Sequence, residues 1–203
     1  MIDVEDSGAL RVVTLDRPDK ANALTREMLA ALADTVERAA ADREVRALVL
    51  TGRGRVFSAG ADLEEAHAGL ATDPVWERLS DAIAEAPILT IAALNGTAAG
   101  GALGMMLACD LRVAVAGAKI FYPVMKLGFL PQPSDPGRLS ALVGPARAKL
   151  ILMGGAKIEA PEALAMGLVD RIADDPLAEA RAIAADALGA DRHHVEAIKD
   201  LLS

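Results

Sequence analysis

Residues 86–110, APILTIAALNGTAAGGALGMMLACD, decide the fold of this chain, because no charged residue interrupts them before Asp110. An apolar run of this length is long enough to cross a bilayer, which takes about 20 residues. The run is broken by Pro87, Asn95, Gly96, Gly100 and Gly101. Asn-Gly predicts a turn, and paired glycines predict a close approach of two backbones. We therefore interpret the stretch as a buried strand over 88–94, a turn, and an apolar helix over 101–108, and expect no membrane association.

Helices and strands alternate on both sides of this stretch. The apolar spacing predicts strands over 10–15, 45–50 and 111–115, helices over 26–41, 75–84, 177–188 and 191–202, and a long loop over 52–73. Thr25 is placed to cap the first helix, Pro145 to begin another, and Gly167 to follow a helix end. This alternation predicts a single α/β domain over residues 1–203, with a core over about 1–172 and C-terminal helices over about 173–203.

Composition excludes several classes of function. The formal charge of −8 and the aromatic content of 2 % argue against a nucleic-acid surface, which needs basic patches and stacking platforms. The single cysteine, Cys109, predicts a small buried side chain and no disulfide framework. The histidine and cysteine spacing matches no metal-binding motif, and we expect none. The first residues carry no signal-peptide pattern, so we expect a cytoplasmic protein.

Two glycine-containing segments predict the functional site. Phe57-Ser58-Ala59-Gly60-Ala61-Asp62-Leu63 follows a predicted strand, and Asn95 to Gly101 leads into the apolar helix. Each segment alone is explained by a turn that needs glycine. Together they indicate two backbone N–H groups beside small side chains, one of them at a helix N-terminus, where developing negative charge is favoured. Two such donors that converge on one oxygen form an oxyanion hole.

Several segments in sequence resemble the crotonase (enoyl-CoA hydratase/isomerase) superfamily. They are Leu15 to Pro18 with Asn22 to Leu24, Phe57 to Leu63, Ile91 to Gly101, Cys109-Asp110, Pro123, Lys126 to Gly128, Pro131, Gly144 to Ala148, and Ala163 to Asp170. The resemblance runs in order from about residue 10 to 172. It implies a spiral of β-β-α units that binds an acyl-CoA or enoyl-CoA thioester, with coenzyme A as part of the substrate and no separate cofactor. It also implies a homotrimer or a dimer of trimers.

The resemblance implies roles for individual residues. Ala59 and Gly101 would donate the two backbone N–H groups to the thioester carbonyl. Asp62 and Leu63 would follow the first donor around the pantetheine channel, and Lys20 and Ala21 would lie near the adenosine end. The implied substrate-binding set is Lys20, Ala21, Ala59, Gly60, Ala61, Asp62, Leu63, Gly100, Gly101 and Val124.

The acid/base residues of the family are missing at their expected positions. Hydratases of this family use two glutamates, one to activate water and one to protonate the α-carbon. Gly104 stands at the first position, in a spacing similar to GGxxE, and Val124 replaces the glutamate of a Pro-Glu pair. Some related isomerases carry an aspartate eight residues later, where this chain has Gln132. We therefore expect ordinary hydration to be very slow.

Three other residues deserve consideration as acid/base groups. His67 follows the first glycine segment and is of a residue type that often serves as a general acid or base, although a solvated helix start is the simpler interpretation. Tyr122 could donate to an enolate, although a packed core tyrosine is the simpler interpretation. Asp135 lies near the expected acid position in sequence, but we interpret Ser134-Asp135-Pro136 as a turn.

Two functions remain open at this point. The first is a CoA-thioester enzyme that stabilises an enolate without the glutamate pair. The second is a non-catalytic acyl-CoA-binding protein that retains the fold and the CoA site. The C-terminal part is shorter than the resemblance implies, which suggests an acyl pocket that is open or closed by another subunit.

Overall fold

A computed structural model describes residues 1–202, and Ser203, the last residue of the predicted domain, lies outside the described residues. The strands are β1 (Ile2–Ser7), β2 (Leu10–Leu15), β3 (Ala47–Gly52), β4 (Val56–Ser58), β5 (Leu89–Leu94), β6 (Thr97–Ala99), β7 (Leu111–Ala114), β8 (Lys119–Phe121), β9 (Ile158–Glu159) and β10 (Arg171–Ile172). The helices are α1 (Arg26–Ala41), α2 (Leu63–His67), α3 (Val75–Ala84), α4 (Ala102–Ala108), α5 (Val124–Leu127), α6 (Asp135–Val143), α7 (Pro145–Leu152), α8 (Ala160–Ala165), α9 (Pro176–Gly189) and α10 (Arg192–Asp200).

The strands form two sheets, and successive strands from β3 to β8 are added to the two sheets in alternation. The larger sheet has the order β1-β2-β3-β5-β7-β10, and it is parallel except for the β1–β2 hairpin. The smaller sheet has the order β4-β6-β8-β9, with β9 antiparallel. The pairs β3–β4, β5–β6 and β7–β8 each give one strand to the large sheet and the next to the small one. This alternation is the β-β-α spiral that the sequence resemblance implies, so the fold prediction is confirmed.

Two buried clusters hold the spiral together. The larger cluster fills the space between the two sheets and helices α1, α3, α4, α6 and α7, with Leu24, Leu32, Phe57, Ile83 and Leu94 among its fully buried side chains. The smaller cluster packs α9, through Ala180 and Ala184, on the other face of the large sheet. Because these helix positions are alanines, the α9 backbone can approach the strands closely.

Two asparagines, the buried Asn22 and the half-buried Asn95, fix the turns that lead from one sheet to the other. The Asn22 side chain accepts from the N–H of Arg17 and donates to the carbonyls of Arg53 and Val56. Asn95 accepts from the N–H of Gly52 at 3.0 Å and donates to the carbonyls of Gly54 and Val56. A Cβ atom at Gly96 would lie 2.0 Å from the Arg55 carbonyl oxygen, so the Asn-Gly turn requires glycine.

Most predicted elements are confirmed within a few residues. The helices predicted over 26–41 and 75–84 have the observed bounds, and Thr25 caps α1 by accepting from the N–H of Met28. Pro145 begins α7, and Gly167 follows α8 with a positive φ of 79°. The predicted loop over 52–73 is wrong in part, since it contains β4 and α2. Within residues 1–202, no helix is both long and apolar enough to cross a membrane.

Candidate active site

The two glycine segments meet at one small cavity. Its volume is about 160 Å³, and its wall consists of Ala59, Ala61, Leu63, Ala66, His67, Ala71, Trp76, Gly100, Gly101, Tyr122, Pro123, Val124, Leu127, Phe129, Leu130 and Gln132. The two segments are in close contact at Gly60. A Cβ atom at this position would lie 2.7 Å from the Ala99 carbonyl oxygen and 3.1 Å from the Gly101 nitrogen. Gly60 also has a φ of 90°, so both its conformation and its surroundings require glycine.

The backbone hydrogen bonds correct the expectation for the first donor. The Ala59 N–H donates to the Ala21 carbonyl at 3.0 Å, so it is already engaged inside the protein. The next residues form a parallel bridge with Leu24, which bonds the Gly60 carbonyl and the Asp62 N–H. Ala61 lies between those two bonds, and its own N–H has no partner among the hydrogen bonds of residues 1–202. Ala61, and not Ala59, therefore presents the free N–H at this cavity.

Gly101 presents the second free N–H. It precedes α4, and across residues 1–202 its N–H donates to no protein acceptor. The Trp76 ring covers this glycine, since a Cβ atom at position 101 would lie 2.8 Å from the ring. Trp76 is fixed by its own ring N–H, which donates to the Leu70 carbonyl at 2.8 Å. The cavity wall therefore includes two residues with free backbone donors, beside the apolar ring of Trp76.

Asp62 has a structural role at the edge of the cavity. Its carboxylate bonds the Arg17 guanidinium at 2.7 Å and caps α2 by accepting from the Glu64 N–H at 3.1 Å. The Arg17 guanidinium holds the pKa of the Asp62 carboxyl below its usual range. Asp62 does not line the cavity, whereas Leu63, with 72 % of its surface exposed, lies at its mouth. Asp62 thus fixes the helix that carries one cavity wall.

The other predicted binding residues divide into two groups. Gly100 and Val124 line the cavity as expected, and His67 lies on its exposed side at the end of α2. The exposed Lys20 and the half-buried Ala21 form a short turn outside the cavity wall, where Ala21 and Asn22 adopt left-handed φ values of 51° and 52°. Through the bond from Ala59 to the Ala21 carbonyl, this turn supports the first glycine segment.

Gly104 and Val124, the two positions where the resemblance predicts glutamates, carry no acid or base, and the carboxylate of Asp135 lies beside Gly104. A Cβ atom at Gly104 would lie 3.0 Å from Oδ1 of Asp135, and Asp135 is only 1 % exposed. The Tyr122 hydroxyl donates to Oδ2 of Asp135 at 2.8 Å, and Tyr122 lines the cavity. The interpretation of Asp135 as a simple turn residue is therefore wrong, because α6 begins there and directs this side chain inward. Nothing in the local sequence spacing indicates that Asp135 and Gly104 meet.

Burial changes the acidity of both members of this pair. Burial raises the pKa of the Asp135 carboxyl to about 6, and the Glu77 carboxylate adds to the rise, while the Tyr122 hydrogen bond and the Arg138 charge oppose it. Burial, together with the neighbouring Asp135 charge, raises the pKa of the Tyr122 phenol above its usual value. The phenol is thus a neutral donor and the carboxyl an acid that titrates near neutrality.

A larger cavity lies elsewhere, between α4 and the C-terminal helices. It has a volume of about 880 Å³, a mostly apolar wall that includes Leu107 and Ile198, and an ion pair between Asp110 and Lys199 at 2.9 Å. Neither glycine segment reaches it. Cys109, next to Asp110, is buried as predicted, and burial raises the pKa of its thiol to about 12. Residues 1–202 contain no cluster of three or more histidine, cysteine or acidic side chains that could hold a metal ion.

The spiral of paired strands, with glycine segments that meet at one cavity, defines a crotonase-superfamily protein. The chain belongs to the enoyl-CoA hydratase/isomerase family, whose model matches residues 5–203. It is 38 % identical over 193 residues to a "Probable enoyl-CoA hydratase", EchA14 of Mycobacterium tuberculosis, which covers 93 % of this chain and 75 % of that protein.

Solved structures agree with this assignment. The crystal structure of an enoyl-CoA hydratase/isomerase from Pseudoalteromonas atlantica superposes with a TM-score of 0.92 and 34 % identity, and the match covers 99 % of this chain and 82 % of that chain. The structure of Pseudomonas aeruginosa DspI gives the same TM-score with 31 % identity, covering 99 % of this chain and 85 % of that chain.

Proposed function

We propose that this chain binds CoA thioesters and stabilises the enolate form of the bound acyl group. The observation that carries the proposal is the pair of free N–H groups of Ala61 and Gly101 in one cavity. These donors would bind the thioester oxygen, and they would bind it best when negative charge has developed on it. Charge drawn onto that oxygen acidifies the α-carbon and activates the β-carbon toward nucleophiles.

The activity that we propose differs from efficient hydration. Gly104 and Val124 carry no acid or base, and each missing group of this kind removes about 10²–10⁴-fold in rate. We therefore expect crotonyl-CoA to be hydrated very slowly by the purified protein. Efficient hydration would show that another residue replaces the glutamate pair.

A non-catalytic acyl-CoA-binding protein is the second candidate function. The absence of both glutamates favours it, and the intact donor pair is compatible with it. The two candidates differ in what happens to the bound thioester. A catalyst exchanges α-protons or converts an enoyl-CoA, whereas a binding protein returns every ligand unchanged. We also propose, from the sequence, a cytoplasmic location and a homotrimer or dimer of trimers.

The donor pair can be tested by replacing single backbone amides with esters. An ester at Ala61 removes its N–H, and we expect the infrared shift of a bound ¹³C-labelled thioester carbonyl to decrease. One lost donor of this kind corresponds to about 10²–10³-fold in rate. An ester at Ala59 is the matched control, because it removes the hydrogen bond to Ala21 and leaves both free donors in place.

The proposal has clear failing outcomes. Calorimetry that finds no affinity for any CoA thioester would exclude the binding function. A carbonyl shift that disappears with the Ala59 ester and persists with the Ala61 ester would reassign the donor.

A further inference from the structure

Tyr122 and Asp135 form a buried polar pair behind the cavity wall. The Tyr122 hydroxyl donates to Oδ2 of Asp135 at 2.8 Å, and the two residues are 4 % and 1 % exposed. Tyr122 lines the cavity with Gly101 and Ala61, whereas Asp135 is not part of the cavity wall. The pair therefore connects the cavity to a carboxyl group that bulk water does not reach directly.

The space beside Asp135 exists because residue 104 has no side chain. The ideal Cβ position of Gly104 lies 3.0 Å from Oδ1 of Asp135 and 3.1 Å from the Ser80 hydroxyl oxygen. A longer side chain from α4 would therefore occupy the place of this carboxylate. The Asp135 carboxylate occupies this place, and it belongs to the first turn of α6.

One oxygen of Asp135 has no partner. Oδ1 is buried and makes no hydrogen bond within residues 1–202. Buried carboxylate oxygens are normally paired, and an unpaired one is unfavourable for folding. A purely structural contact to Tyr122 would not require a carboxylate, because an amide could accept the same hydrogen bond. The unpaired oxygen therefore points to a role in moving protons.

We propose that Tyr122 and Asp135 form a proton relay that acts on the α-carbon of the bound acyl group. The inference rests on the proposed function, since it needs a thioester whose oxygen is held by the Ala61 and Gly101 N–H groups. Tyr122 is the catalytic residue, because it lines the cavity, and Asp135 acts through it.

The proton transfer balances within the pair and the substrate. The α-carbon gives its proton to the phenol oxygen of Tyr122 while the phenol passes its own proton to Oδ2 of Asp135. The C–H bond at the α-carbon and the original phenol O–H bond break. One new O–H bond forms on Tyr122 and one on Asp135, and the electron pair of the broken C–H bond moves onto the thioester oxygen. The reverse sequence returns a proton to the α-carbon or, in a conjugated enolate, to the γ-carbon. The relay therefore suits proton exchange and double-bond migration, neither of which needs an activated water.

The charges around Asp135 support this use. Glu77 on α3 and Arg138 on α6 are the charged groups that act on it, and His67 lies across the cavity at its exposed side. Burial and Glu77 together raise the pKa of the carboxyl to about 6, which makes it a stronger base than a surface aspartate.

Solvent deuterium exchange into butanoyl-CoA tests the relay. We expect the wild-type protein to exchange the α-protons, with a rate that rises with pH up to about 6, where Asp135 becomes ionised, and then levels. Tyr122→Phe and Asp135→Asn should each bind butanoyl-CoA and slow the exchange by about 10²-fold or more. Asp175→Asn is the charge-matched control, because Asp175 caps α9 away from the cavity. It should exchange at the wild-type rate.

The outcomes separate this inference from the proposed function. Failure of the wild-type protein to bind any thioester overturns the proposed function and the relay with it. Binding without exchange overturns the relay alone and leaves a binding protein. Exchange at the wild-type rate in both variants, or exchange lost only in His67→Gln, also overturns the relay.

A second measurement covers the case in which a variant fails to fold. Tyr122 is the only tyrosine, so 3-fluorotyrosine incorporation labels this ring alone in the full chain. We expect its ¹⁹F resonance to titrate with a midpoint near 6 and to shift when butanoyl-CoA binds. A resonance that neither titrates in this range nor responds to the thioester would contradict the relay.

Discussion

Asp135 is a residue whose charge opposes folding. Burial raises its pKa from 3.8 to about 6, so the folded state holds this proton more tightly than the unfolded state does. For an acid with a raised pKa, the free energy of unfolding falls as the pH rises from about 4 to 6, and the full loss persists above 6. At about 1.4 kcal/mol per pH unit, this loss amounts to about 3 kcal/mol.

We therefore predict that Asp135→Asn stabilises the protein above pH 6. The difference in free energy of unfolding between the variant and the wild type should grow by about 3 kcal/mol from pH 4 to pH 7, because the amide carries no charge to bury. Urea denaturation of both proteins across this pH range measures the difference. A constant difference at every pH would mean that Asp135 titrates as a surface carboxyl.

Gly101 is constrained by its neighbour and not by its backbone angles. Its φ of −59° suits any residue, yet a Cβ atom there would lie 2.8 Å from the Trp76 ring. We predict that Gly101→Ala lowers the free energy of unfolding by about 1–3 kcal/mol, since the packed ring cannot move freely.

Gly117 offers the comparison, because a Cβ atom there meets nothing within 4 Å. Gly117→Ala should change stability by less than about 0.5 kcal/mol. Equal unfolding midpoints for the two variants would argue against a rigid Trp76 wall.

Among the secondary-structure elements, α2 is held at the cavity by a few side-chain hydrogen bonds, and Asp62 makes two of them. Asp62 caps this helix and ties it to Arg17, and the helix carries Leu63, Ala66 and His67 to the cavity. We predict that Asp62→Ala speeds amide hydrogen exchange over residues 63–67 and weakens thioester binding. Because the pKa of Asp62 is lowered, the difference from wild type should be present at neutral pH and fade as the pH falls below about 4.

Asp175→Ala provides a control of the same type. It removes the cap of α9 by deleting the acceptor for Leu177 and Ala178, far from the cavity. We expect faster exchange at the start of α9 and unchanged thioester binding. Weakened binding in both variants would mean that any lost cap disturbs the cavity.

The elements that the sequence predicts best are those with a long apolar period. Helix α1 has four turns with buried positions such as Leu32 and Val36, and its bounds follow from that repeat and from Thr25. Strands β4, β6 and β8 have three residues each, too few for a period to show. Their order depends on pairing between residues about 20 to 40 positions apart in sequence, which no local pattern encodes.

The sequence likewise predicts one part of the candidate active site and misses another. The glycine segments identify the cavity, because close approach requires small residues whatever the fold. The choice between Ala59 and Ala61 depends on which N–H the neighbouring Leu24 and Ala21 carbonyls take up, and that requires coordinates. The Tyr122–Asp135 contact also depends on how α6 packs against α4, so the sequence alone cannot reveal it.

For the whole molecule, the C-terminal helices complete the core. Ala180 and Ala184 of α9 cover Val12, Val49 and Ile91 on the outer face of the large sheet. We predict that a chain ending at residue 172 exposes this apolar face and aggregates, since α9 packs on it in the full chain. Circular dichroism and light scattering of the shortened protein test this. A shortened chain that keeps the oligomeric state of the full chain and unfolds cooperatively would make residues 173–203 a separate module.

Deamidation of Asn95 in the Asn95-Gly96 turn should accumulate with the time that the protein spends unfolded. Asn-Gly sequences lose the side-chain amide readily, because the glycine backbone nitrogen can attack the amide carbon of asparagine and expel ammonia, and water then opens the cyclic imide to a carboxylate. In the native protein that side chain is held by Gly52, Gly54 and Val56, so it cannot reach the attacking geometry. Each episode of unfolding releases it. The resulting aspartate would face the carbonyl oxygens of Gly54 and Val56 with a negative charge, and the turn could not close again. The fraction of deamidated Asn95 in a stored sample should therefore measure the time its molecules have spent unfolded.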